Sequence, residues 1–318
     1  MINMYKYPKI VSFTLALSYL LICNLYLYNL YLAVEGVDIH NYLKHFQEDI
    51  NEYRAIPIFY EHNTFFYDVV TFINIFFKFE NASTIYIYIM SFITFFLAYK
   101  FFLDAMYLKT TLTGIFFIFL ILFTPKVMDI FVSQIRGGLA LVIFLYGINF
   151  NSKIIKLTFI IFSSFIHFMV LPILSLYLLY YFFKKTNLLR KSNALTILIL
   201  IFFCFIAVYI MTLIYPIGGY RNDLMYSLLI FFITIYFLSI SKILITNVEG
   251  FVAIGLMIMI LVSSIVDYHL IRFLGIAFVM YGLAIINLNN ITFLKNSIIF
   301  YFVLFCTYHF YFLRIYVF

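Results

Sequence analysis

Long stretches of the chain carry no Asp, Glu, Lys or Arg: residues 10–34, 82–99, 192–220, 224–241, 250–266, 273–294 and 296–313. Apolar side chains occupy every face of a helix drawn through them, and they do not alternate with polar ones. A bilayer core of roughly 30 Å takes about 20 apolar residues per helix, and these runs have that length. In lipid, backbone polar groups must be satisfied within a helix or a closed barrel. Barrel strands are about 10 residues long and alternate apolar with polar, which these runs do not. The pattern predicts an all-α fold, a polytopic integral membrane helix bundle.

Composition removes the soluble alternative. Of 318 residues 66% are apolar and only 10% charged, with a mean hydropathy of +1.09. Ordinary globular chains are about 25% charged, so too few polar side chains exist here to cover a water-facing surface. The first run is too long for a signal-peptide core and lacks a small-residue cleavage site, so it reads as the first membrane helix. Cys23, Cys204 and Cys306 each sit inside an apolar run with no ligand spacing, and buried Cys behaves as a small hydrophobe. No linker, low-complexity tract or repeat divides the chain, which is read as one membrane domain, 1–318, with an extracytoplasmic segment at 35–81. A further apolar stretch at 63–79 carries Asp68 and reads as interfacial or re-entrant.

Lys and Arg flank membrane helices on the cytoplasmic side, and that rule sets the topology. Lys6 and Lys9 place the N-terminus inside. Lys100 and Lys109 return inside, Lys126 and Asp129 lie outside, and a helix from about 131 to 150 delivers Lys153 and Lys156 inside. The next cluster, Lys184, Lys185, Arg190 and Lys191, also belongs inside, yet only one uncharged stretch, 157–183, separates the two. One span would strand four cations on the wrong face. Two short helices with a break near 167–172 resolve this, since proline disfavours helix at the residue before it and lacks a backbone donor. Alternation then continues to Arg314 outside. This arrangement has 11 helices, within a range of 10–12, and puts 12 of the 20 Lys/Arg inside with only Asp104 and Glu249 of the 13 acids. It also accounts for the net charge of +7 without nucleic acid.

Ionisable groups within membrane segments are expensive and mark functional sites by default. Arg136 in VSQIRGGLALVIF, His167 in IIFSSFIHFMVLP, Arg221 after Gly218–Gly219, and Asp267, His269 and Arg272 are the few present. In this topology all six lie at or near the outer face, with Asp38 and His40 on the same side. Each has a plainer reading. Arg136 could snorkel to the interface, His167 could be a satisfied bundle histidine, Arg221 and Arg272 could be interfacial anchors, and Asp38 a solvated acid or helix cap. Asp267 and His269 lack a nearby third ligand, so no metal is expected, nor any cofactor.

The motifs around these residues resemble a known family. GVDIHNYLKHF, with Asp38 and Tyr42, resembles the G-x-D-x-x-x-Y element after the first helix of EpsG-family proteins. IRGGLALVIFLYGI resembles their I-R-Q-x-x-A helix, SSFIHFMVLPIL their histidine–proline element, and RFLGIAFVMY their late arginine helix. Order and spacing match along most of the chain. Gly137 stands where Gln is usual after the arginine, and Val37 where a small hydroxyl residue is common.

The resemblance implies a bacterial polysaccharide polymerase of the O-antigen (Wzy-like) kind, a metal-independent glycosyltransferase resembling the GT-C type. It implies an inner-membrane, multi-pass protein with its active site facing the periplasm. Donor and acceptor would be glycan repeat units on undecaprenyl pyrophosphate, and a chain-length regulator is a conceivable partner. The leaving pyrophosphate needs fixed cations, which arginine supplies as a planar, always charged fork; Arg136 is the first candidate, Arg221 or Arg272 the second. The acceptor hydroxyl needs a base, for which His167 is the first choice and Asp38 the second. Asp267, His269 and Tyr42 complete the expected substrate contacts. Rival readings are an O-antigen ligase, a polysaccharide flippase or other transporter, and a membrane acyltransferase. A transporter would predict paired repeats and discontinuous midplane helices.

Overall fold

From residue 82 onward the apolar runs fold as helices. In a computed structural model the described residues are 13–14, 17–18, 21, 82–105, 112–132, 134–167, 169–191, 193–214, 224–265, 270, 273–288 and 290–317. Every described element is an α-helix, and no strand occurs among the described residues. In chain order they are α1 Ala82–Ala105, α2 Leu112–Phe123, α3 Pro125–Val132, α4 Ile135–Asn149, α5 Lys153–Ile166, α6 Val170–Lys185 and α7 Leu188–Lys191. There follow α8 Asn193–Ile214, α9 Leu224–Ser239, α10 Ser241–Leu244, α11 Val248–Ile265, α12 Phe273–Leu288 and α13 Ile291–Val317.

The break expected near 167–172 is present: α5 ends at Ile166 and α6 begins at Val170. With 14 and 16 residues, the two helices are about 21 and 24 Å long. Pro172 does not itself sit in the break. It occupies the first turn of α6, where its missing N–H is no loss. Lys184 and Lys185 close the last turn of α6, where cations suit the helix C-terminus, and Asn187 turns the chain with φ 57°, a backbone region Asn tolerates. The helix expected from about 131 to 150 is α4, which begins at Ile135; a separate short helix, α3, precedes it and ends at Val132.

The described helices form two compact units. The first contains α1, the end of α3, and the antiparallel pair α4 and α5. Ser91 Oγ donates to the Phe131 carbonyl at 3.3 Å, and Tyr146 Oη to that of Leu97 at 3.3 Å. Close backbone approach sets the α4–α5 register. A Cβ on Gly147 would stand 2.5 Å from Phe159 Cβ, and one on Gly137 would stand 2.8 Å from Met169 Sδ.

The second unit contains α2 and the helices from α6 on. Its middle is α11 and α12; α12 is buried continuously from Phe273 to Ile285. Helices α8, α9 and α10 pack on α11, and α13 packs on α12. Asn247 Oδ1 accepts the Gly250 N–H at 2.7 Å, capping α11, and Asn290 does the same for α13 through the Thr292 N–H at 3.0 Å. A polar ladder joins α9, α12 and α13. Tyr236 and Tyr281 hydroxyls meet at 2.9 Å, Tyr281 and Ser297 at 2.9 Å, and Tyr301 donates to the Phe278 carbonyl.

Helix α8 is apolar on both faces. Thr196, Leu200, Cys204 and Val208 form a buried stripe at four-residue spacing, while Leu198, Phe202 and Tyr209 on the opposite face are 65%, 68% and 65% exposed. Among the described residues, Asn193–Thr212 is the one helix long and apolar enough by itself to cross a membrane. Gly114–Phe123, Ile135–Asn149, Leu228–Ser239, Val248–Ser264, Phe273–Leu288 and Thr292–Leu304 are shorter apolar helices. Cys204 is buried, as its apolar run suggested, whereas Cys306 is exposed on α13.

Candidate functional site

Arg136 lies in the first turn of α4. Ten of its 15 residues are buried; Arg136, Leu139, Ile143 and Tyr146 form a half-buried stripe, and Asn149 at its end is exposed. The turn before it is organised by Gln134. Its backbone N–H donates to the Asp129 carbonyl at 2.9 Å, and its Nε2 to Asp129 Oδ2 at 3.1 Å. The carboxylate fixes the amide orientation, because turning Oε1 toward it would set two acceptors against each other. Gln134 is 6% exposed, and its Oε1 has no hydrogen-bond partner among the described residues.

His167 ends α5 in extended conformation, φ −158° and ψ 130°. Its N–H donates to the Ser163 carbonyl at 3.1 Å, and its carbonyl accepts the Val170 N–H at 3.3 Å. Its ring takes part in the turn as well: Nδ1 accepts the Met169 N–H at 3.1 Å. The imidazole is half-buried. Met169, 3% exposed, places its sulfur against Gly137. One buried side chain thus ties the histidine turn to the residue after Arg136. Gly147 against Phe159 and Gly137 against Met169 keep one antiparallel register, so Arg136 and His167 come to the same end of the hairpin.

The glycines beside Arg136 suggest, in the sequence, an open surface for a bulky headgroup. The structure fills that surface with protein. Gly137 meets Met169; a Cβ on Gly138 would stand 2.7 Å from the Ile130 carbonyl and 3.2 Å from Thr94 Cγ2; Ala140 is fully buried. Small residues are there because helices approach closely. Arg136 itself lies on the half-buried stripe, away from these contacts.

Of the residues singled out from the sequence, Arg136 and His167 lie at the same end of the α4–α5 hairpin, linked through Gly137 and Met169. Asp38, Tyr42, Arg221, Asp267, His269 and Arg272, with the 35–81 segment, lie outside the described residues. Asp129 and Gln134 are additions that the sequence did not announce. Asp129 reads as a loop acid and Gln134 as one polar residue in a continuous helix; only the α3–α4 break makes them a bonded pair ahead of Arg136.

No family model, no curated protein and no solved structure matches the chain. The likeness to the EpsG family therefore rests on its motif residues.

Proposed function

We propose that the protein is a polytopic membrane glycosyltransferase of the bacterial inner membrane, with 10–12 spans. It polymerises oligosaccharide repeat units carried on undecaprenyl pyrophosphate, at a site on the periplasmic face. The observation that carries this reading is the pairing of Arg136 and His167 at one end of a close-packed helical hairpin. A cation suited to phosphate and an imidazole stand at that end, away from Lys153 and Lys156 at the start of α5. Their motifs come in the order and spacing of polysaccharide polymerases. Membrane insertion is supported by the exposed apolar stripe of α8, which would be unfavourable in water at about 25 cal/mol per Å² and costs nothing against lipid chains.

Transfer needs no bound metal in this scheme. The sugar's anomeric carbon is released from the lipid pyrophosphate and bonded to an acceptor hydroxyl; the hydroxyl loses a proton and the pyrophosphate gains charge. Arg136 neutralises that charge as it develops. The reading is tested by deleting the gene. Cells should then carry surface lipopolysaccharide capped with single repeat units in place of a ladder. An unchanged ladder would remove the polymerase reading, and loss of even the single unit would favour ligase or flippase.

The broken helix pair makes a separate prediction. If the chain turns back at the break near 167–172, reporters fused after Lys156 and after Lys191 both read cytoplasmic. A cysteine placed at Asn187, exposed in the turn after α6, should resist labelling by an impermeant reagent in intact cells. Labelling from outside would invert every assignment downstream.

A further inference from the structure

We propose that Glu249 and the tyrosines of α6 beside it bind the ammonium of a membrane lipid with an ethanolamine headgroup. The inference rests on membrane insertion and not on polymer synthesis.

Three helix ends meet around this carboxylate. Tyr180 Oη on α6 donates to the Thr246 carbonyl at 3.1 Å, just ahead of α11. The rings of Tyr180 and Phe183 lie against Phe251, with centroids 5.6 and 5.7 Å away. Asn247 Nδ2 donates to the Ala284 carbonyl of α12 at 3.2 Å. Glu249 and Asn287 follow those two residues within one turn, and the Asn287 side chain donates to the carboxylate. From α6, Tyr177 and Tyr180 lie within reach of its charge. The Tyr181 ring completes the group, 5.0 Å from that of Tyr177 and 5.6 Å from that of Tyr180, which it meets at 86°.

Glu249 is half-buried and is the one acid among the described residues of its unit. It forms no ion pair among the described residues. An unpaired charge in apolar surroundings is costly. The first turn of α11 offsets part of that cost, but a helix N-terminus carries only roughly half an elementary charge. A bound cation would supply the rest.

The groups present select the cation. A hard metal ion takes about six oxygen ligands, whereas here one carboxylate stands among tyrosine rings. An alkylammonium suits both, donating N–H to the carboxylate and resting its charge on ring faces. Neighbouring charges indicate what the ammonium is attached to. Lys184 lies one turn beyond Tyr180 and Tyr181 on the same face of α6; Lys185 follows it, and Lys242 stands on α10. All three are exposed and form no ion pair among the described residues. Cations flanking an anion fit a zwitterion, with phosphate on the lysines and ammonium on Glu249. In the topology set by the cations this end faces the cytoplasm, and tyrosines at helix ends are at home in the headgroup layer. An anionic lipid without the amine would be drawn to the lysines and repelled by Glu249.

The full chain, purified in detergent and stripped of lipid, tests this by native mass spectrometry. It is titrated with dioleoyl phosphatidylethanolamine and, separately, with dioleoyl phosphatidylglycerol. Wild type should bind the ethanolamine lipid about tenfold more tightly, the worth of one charge-assisted hydrogen bond. Glu249→Gln keeps the shape and the Asn287 bond, and should bring the two lipids within about twofold of each other. Tyr181→Leu should weaken the ethanolamine lipid about threefold and Tyr181→Phe should not, because the ring carries the attraction. The ratio of two lipids on one protein does not depend on how much of a variant has folded. Equal binding by wild type, or a preference that survives Glu249→Gln, overturns the proposal. Displacement by free phosphoethanolamine at the lipid's own concentration overturns it too, since the ligand would then come from solution. A protein that needs detergent yet shows no preference fails this proposal alone. One that stays dispersed without detergent and binds neither lipid fails the membrane reading itself.

Discussion

Arg136→Ala leaves a protein that inserts at wild-type levels and makes no polymer. The substitution removes little packing, because Arg136 sits on the half-buried stripe of α4 and not on its ten-residue buried face. On the proposed polymerase reading it removes a cation that meets the charge growing as the glycosidic bond breaks. An interaction that strengthens toward the transition state accelerates the chemical step, whereas one equally strong in the ground state only tightens binding. Deleting one such electrostatic contact typically lowers turnover by about 10²–10³-fold, so polymer should vanish from a gel while the protein band stays. Arg136→Lys keeps the charge and loses the two-pronged fork, and its activity should fall between wild type and alanine. The measurement is turnover of lipid-linked repeat units by purified protein, normalised to folded protein. Normal polymerisation by Arg136→Ala would make the arginine an interfacial anchor.

Lipid-like composition, helical class and the positions of the long runs are legible in this sequence because they depend on local statistics. The break at His167 is legible for a less local reason: if cations keep to one face of a membrane, Lys153 and Lys156 on one side and Lys184 and Lys185 on the other call for two helices where one would fit. The break between α3 and α4 is not, since Val132, Ser133 and Gln134 continue an apolar run without a proline or a glycine turn. It shows only when Gln134 closes back onto Asp129. The glycines beside Arg136 mislead, because an open face and a face pressed against another helix call for the same small residues. Which of the two holds depends on Met169 and Ile130, neither of which carries a signal of its own. The ladder through Tyr236, Tyr281 and Ser297 is invisible for a similar reason. Its members come from three separate runs, in a chain with 29 tyrosines. The bond that the His167 ring accepts from a main-chain N–H two residues on likewise has no signal in residue type alone.

Gly147→Ala should damage both stability and activity, although it lies ten residues along α4 from Gly137, about 15 Å away. On helix propensity alone the change is favourable, by about 1 kcal/mol. Packing reverses the sign. A Cβ at Gly147 would fall 2.5 Å from Phe159 Cβ, 3.5 Å from its Cγ and 3.6 Å from its carbonyl carbon. The nearest obstacle is the root of the side chain, so no rotamer change of Phe159 relieves it; helix α5 must move away from α4. Phe159 also packs against Phe150, ring centroids 4.9 Å apart, which ties the closed end of the hairpin and forces the displacement toward its open end. Overpacking of this kind costs typically about 1–3 kcal/mol, more than the propensity gain at most of that range. The displacement separates Met169 from Gly137 and with it His167 from Arg136, and misplacing a catalytic group by about 1 Å can cost 10²-fold in rate. Purified Gly147→Ala should therefore melt earlier in detergent than wild type and turn over far more slowly. Leu198→Ala, which trims a side chain 65% exposed on α8, should leave turnover unchanged under the same conditions. A cysteine pair at positions 137 and 169, in a background without the native cysteines, reports the cause. Oxidation should cross-link it readily with Gly147 intact and poorly once alanine replaces it. Wild-type melting, turnover and cross-linking in the alanine variant would mean that α4 and α5 do not touch at Gly147, and that the Gly137–Met169 contact does not depend on it.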